Sequence, residues 1–138
     1  MKKEKQFSSQ SEKGKFSRAK GKRGEREWVN WLKAHGVTAR RTAQVCGSSG
    51  EAADVVGLPG IHQEVKNVER LNLRKAIEQA ERDAGQHFKK TGEPVLPVVI
   101  HKVPRKGWYV TARAADWLAF YQAWKDLKDL HRRISEDD

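Results

Sequence analysis

Two apolar runs, "AADVVGL" (52–58) and "IHQEVKNV" (61–68), are separated by nothing but Pro59 and Gly60. Proline presets φ for the first central residue of a turn and glycine accepts a positive φ at the second, so this gap folds the chain back as a β-hairpin. The hairpin obliges its surroundings to supply a sheet, because an isolated one is marginal in water. Yet its strands carry charge, Asp54 on the first and Glu64 and Lys66 on the second. Side chains alternate faces along a strand. Glu64 and Lys66 therefore share one face, Val65 takes the other, and Asp54 can face the same way as Glu64 across the hairpin.

The flanking sequence supplies the rest of an α/β domain. Trp28, Trp31 and Leu32 recur at helical spacing before Gly36, which predicts a first helix over 24–35. "VTARRTAQV" (37–45) reads as a strand and "CGSSGE" (46–51) as a loop. After the hairpin, Leu73, Ile77, Ala80 and Ala84 mark a second helix over 72–90, closed by Thr91 and Gly92. "PVLPVVIHKV" reads as a central strand after Pro97, and "GWYVTARA" as its partner across the turn "PRKG". A last helix places Trp117, Tyr121, Trp124 and Leu127 or Lys128 on one face. The order is αβββαββα, a central mixed sheet of five strands flanked by helices. At 138 residues the chain suits one domain. It divides into a basic, flexible tail (1–22), a core (23–112) and a C-terminal helix (113–138) packing on the core or on a dimer partner.

Charge narrows the choice of partner. Lys and Arg number 28 against 18 Asp and Glu, a net +10. Residues 1–23 hold nine basic residues, among them Lys20, Lys22 and Arg23, against two acids, which leaves +7 in that segment. Such a density favours a polyanion, and the scarcity of apolar residues beside it favours nucleic acid over a membrane surface. The plainer reading of a basic tail is solubility alone. Cys46 is the single cysteine, so no disulfide framework and no thiolate cluster is expected, and no run approaches the roughly 18 apolar residues that span a bilayer. These features predict an intracellular, cytoplasmic protein.

Two carboxylates in a half-buried site each resist ionisation unless a cation lies between them. With oxygen donors and neither a Cys nor a His cluster, Mg²⁺, or Mn²⁺ in its place, is favoured over zinc. Lys66 is either a salt-bridge partner or the group that holds the attacking water and offsets charge on a phosphate. Acids, cation and lysine together suit phosphodiester hydrolysis. His62 has the strand parity of Glu64 and is a further candidate ligand or base. The loop Gly47–Gly50 is not followed by the Gly-Lys-Ser/Thr of a nucleotide-binding loop and better suits close approach to DNA phosphates.

Asp54, the ten-residue step to Glu64 and Glu-x-Lys through Lys66 resemble the PD-(D/E)xK nuclease motif, with Ala53 where the motif's name has proline. "KGKRGEREWVNWLKAHG", "ARRTAQVCGSSGEAADVVG", "HQEVKNV" and "GEPVLPVVIHKVPRKGWYV" together resemble the archaeal-type Holliday junction resolvases, including phage relatives, over roughly 20–111. The resemblance implies a restriction-endonuclease-like core. It matches Glu25, following Gly24, to the acid on the first helix, with Glu27 as the alternative. It makes Glu25, Asp54, Glu64 and the Val65 carbonyl ligands of Mg²⁺, and Lys66 the catalytic lysine. Arg40 or Arg41 corresponds to the family's strand arginine, Ser48 or Ser49 to its loop serine near the scissile phosphate, and Gln79 to a helical glutamine near the site. Lys20, Lys22, Arg23, Arg40, Arg41 and Ser48 would contact DNA. The implied activity is symmetric cleavage of a four-way junction by a homodimer. The alternatives are a nuclease of the same superfamily acting on flaps, single strands or duplex, and a DNA-binding module whose acids only balance its lysines.

Overall fold

The computed structural model describes residues 10–42 and 54–138. The elements run α1 (Gln10–Ala34), β1 (Arg40–Arg41), β2 (Val55–Val56), β3 (Ile61–Lys66), α2 (Leu73–Thr91), β4 (Leu96–Val103), β5 (Gly107–Thr111) and α3 (Ala114–Glu136). This is the αβββαββα order read from the sequence. The five strands form one sheet in the order β1-β2-β3-β4-β5. β3 and β4 are parallel, and every other neighbouring pair is antiparallel. The parallel pair follows from α2, which returns the chain across one face as a crossover must.

The Pro59-Gly60 turn forms as expected, with Gly60 at φ 86°. Because β3 is central it is covered on both faces, and His62, Gln63, Glu64 and Val65 are all buried. On one face Trp28, Val29 and Leu32 of α1 pack with Val55, Val65, Val98 and Ile100. On the other, Ala76 and Ala80 of α2 pack on Val99. Alternation along β3 and β4 assigns the faces: Gln63 and Val65 turn toward α1, whereas His62, Glu64 and Lys66 turn toward α2. Gln63 is fully buried and takes a hydrogen bond from the Trp28 indole at 2.8 Å.

Three boundaries differ from the sequence reading. α1 begins at Gln10, so residues 10–22, read as a flexible tail, are helical. They are rich in Lys, Arg, Gln, Glu and Ala, which tolerate a helix well, and a helix nucleated by the docked turns around Trp28 and Leu32 propagates without a second nucleation cost. The strand expected over 37–45 is confined to Arg40–Arg41 among the described residues. β4 begins at Leu96, so Pro97 lies inside the strand rather than before it. No residue of α3 is buried, and among the described residues no helix is long and apolar enough to cross a membrane.

Candidate active site

Val55 pairs with Gln63, and the Asp54 backbone N–H donates to the Gln63 carbonyl at 3.3 Å. Farther along β3 the Val65 amide donates to Asp54 Oδ2 at 3.0 Å. Asp54 is held there from behind. Its carbonyl accepts from the Thr42 backbone N–H at 3.1 Å and from the Thr42 hydroxyl at 3.2 Å. The side chain of Asp54 is thereby fixed against β3 at the point where Glu64 and Lys66 project.

The first helix reaches this point because it passes close over the end of β3 at Gly24. A Cβ on Gly24 would lie 2.5 Å from Cβ of Asn67, so only glycine permits the approach that delivers Glu25. Glu25 accepts from Arg41 Nε at 2.9 Å. Glu27 points elsewhere and pairs with Lys102 at 3.1 Å, as two residues of helix demand, since they lie roughly 200° apart around the axis. Lys66 Nζ lies 3.1 Å from Glu64 Oε1 and donates to Gln79 Oε1 of α2 at 3.0 Å. Glu25, Asp54, Glu64, Val65, Lys66 and Gln79 line one cavity of about 330 Å³, with Lys20 at its rim.

Electrostatics show how crowded these acids are. Burial pushes the Asp54 carboxyl up to about 7; the charges of Glu64 and, more weakly, Glu25 add to the rise, while the Val65 amide and Lys66 oppose it. Burial also raises Glu64, against the pull of Lys66 and of a hydrogen bond with Asp54. Two neighbouring carboxyls that both resist ionising share protons as a pair. The three acids do not close into a compact ligand set. Each also has a donor of its own: Arg41 for Glu25, the Val65 amide for Asp54 and Lys66 for Glu64. Their oxygens, with the Val65 carbonyl, are the hard donors that Mg²⁺ or Mn²⁺ takes.

The other predicted residues are scattered. Lys22, Arg23 and Arg40 are exposed, on α1 and at the sheet edge. Ser48 and Ser49 lie outside the described residues, as do Cys46 and the rest of the glycine-serine loop. His35 bonds the Trp31 carbonyl, His87 meets Glu93 and His101 meets Thr111. Trp28 is core, stacked on Trp31 at 5.0 Å and tilted against Trp108 at 5.2 Å. Sequence reasoning missed Asp83, which faces Glu64 and His62 from α2. The available signal was its spacing, four residues from Gln79 and four from His87.

No protein-family model matches the chain and no curated protein matches it. A solved structure of Archaeoglobus fulgidus Hjc, a Holliday junction resolvase from an archaeal hyperthermophile, is similar over 67% of this chain and 76% of that chain, with 26% identity and a TM-score of 0.49.

Proposed function

We propose that the chain is a divalent-cation-dependent endonuclease that hydrolyses phosphodiester bonds in branched DNA, with the four-way junction as its preferred substrate and a homodimer as its working form. The observation that carries this reading is the convergence of Glu25, Asp54, Glu64 and Lys66 on one cavity, with Asp54 raised to about 7 in part by the other two acids. A chain retains such mutual repulsion in a half-buried site where a bound cation offsets it. Bound Mg²⁺ would polarise the phosphate and lower the pKa of water.

The protein's own groups do the positioning. Glu25, Asp54, Glu64 and the Val65 carbonyl would hold the cation. Lys66, fixed between Glu64 and Gln79, directs its ammonium to the water that attacks phosphorus and stabilises the added negative charge. Water oxygen adds to phosphorus, one ester P–O bond breaks, and the departing oxygen takes a proton. Lys20, Lys22 and Arg23, where α1 approaches the cavity, and Arg40 with Arg41 at the sheet edge meet the flanking phosphates. Resolution requires two cuts related by symmetry, hence two copies.

The test offers a four-way junction, a flap and a linear duplex in parallel with Mg²⁺. Preferential paired cuts in the junction are expected, and Asp54→Asn should abolish cleavage while leaving junction binding intact. Equal cutting of all three substrates would sink the junction preference. No cutting by the wild-type chain with either Mg²⁺ or Mn²⁺ would leave a DNA-binding module.

A further inference from the structure

Along β3, residues two apart share a face and rise by roughly 6.6 Å; along α2, residues four apart share a face and rise by about 6 Å. Strand and helix run in opposite directions, so their side chains meet in register: Lys66 with Gln79, Glu64 with Asp83, His62 with His87. The first rung belongs to the cavity already described. The second and third present a different chemistry.

We propose that His62, Glu64 and Asp83 form a second cation site, on the α2 side of the sheet, which takes a first-row transition-metal dication such as Mn²⁺ in preference to Mg²⁺. One ligand atom from each of the three lies within 4.8 Å of the other two. Small rotations bring such a set to the edges of a coordination sphere with bonds of about 2.0–2.2 Å.

A second observation is independent of that proximity. Among the described residues, His62 Nε2 and Glu64 Oε2 have no hydrogen-bond partner although both are buried, on residues only 3% and 2% exposed, and they face one another at 3.9 Å. Leaving a buried polar atom unpaired is costly, so two pointing into one gap call for a shared occupant. Imidazole nitrogen with two carboxylates selects a borderline ion, whereas an all-oxygen set suits Mg²⁺. His62 also lines a separate cavity of about 260 Å³, with His87 and Glu93 among others. Glu64 would then face a cation through each of its oxygens.

The proposal shares Glu64 with the catalytic reading, and the test keeps the two separable by counting bound Mn²⁺ rather than following cleavage. Electron paramagnetic resonance of free Mn²⁺ would be measured with wild type, Asp54→Asn, His62→Gln, Asp83→Asn and each of the latter two combined with Asp54→Asn. Asp54→Asn is expected to keep one equivalent. Adding His62→Gln or Asp83→Asn should weaken it by at least the roughly 10–100-fold that loss of an outer partner costs. If His62→Gln fails to fold, Asp83→Asn, on a half-buried helical position, decides alone. An Asp54→Asn chain that binds no Mn²⁺, or one that keeps its affinity when Asp83→Asn is added, overturns the site. Cleavage that persists in Asp54→Asn would instead overturn the catalytic reading and leave this one intact.

Discussion

Asp54 is the residue at which folding and chemistry conflict most directly. Its ordinary pKa near 3.8 is raised to about 7 in the folded chain. Between those values the folded chain holds a proton that the unfolded chain has released, so the contribution of Asp54 is greatest below pH 3.8 and is lost as pH climbs toward 7. A divalent cation binds the ionised carboxylate and acts in the opposite sense. The rise in melting temperature on adding Mg²⁺ should therefore be small at pH 5 and full at pH 8, about 2.7 kcal/mol where Mg²⁺ stands at a hundred times its dissociation constant. Asp54→Asn should be more stable than wild type at pH 8 without cation, and should lose most of the Mg²⁺ gain. Thermal melts at pH 5 and pH 8 decide the matter. An equal Mg²⁺ shift at both pH values would remove Asp54 from the ligand set.

At the scale of elements, the site depends on how closely α1 crosses the end of β3. Gly24→Ala would place a methyl 2.5 Å from Asn67 Cβ, which α1 can relieve only by moving outward and taking Glu25 with it. We expect a loss of about 1–3 kcal/mol, typical of overpacking, in denaturant unfolding. Cleavage should fall with the fold retained, and Gly21→Ala, where a Cβ meets nothing within 4 Å, serves as the control. Much of this was legible in the sequence. The Pro59-Gly60 gap predicted the hairpin, strand parity put Glu64 with Lys66, and the position of Glu25 after Gly24 singled it out over Glu27. The N-terminal reach of α1 was not legible, because its first turns have no apolar periodicity and are carried by propagation from the docked turns. Nor was Asp83. One acid among Glu78, Glu81 and Asp83 gains its meaning only from the face of α2 that meets β3, and sequence periodicity did not tie that face to particular strand residues.

For the molecule as a whole, the outstanding feature is α3. Trp117, Phe120, Trp124, Leu127 and Ile134 follow one another at alternating three- and four-residue steps, with His131 completing the series. That is the seam of a helix meant to meet another helix. Yet Trp117 is 61% exposed and Trp124 53%. A row of large apolar side chains open to water is uncommon on a chain that works alone. The proposed two-fold symmetric cleavage would need a second copy, and a self-complementary helical seam is the simplest surface that supplies one. Sedimentation at micromolar concentration should therefore show a dimer. Replacing Trp124 and Leu127 with lysine should yield a monomer of unchanged melting behaviour, since neither side chain is buried within the chain. If the dimer is the working form, the monomer should still bind junctions, and the two cuts should become uncoupled, so that singly nicked junctions accumulate. A wild-type chain that sediments as a monomer at all accessible concentrations, or a double variant that remains dimeric, would remove α3 from the interface.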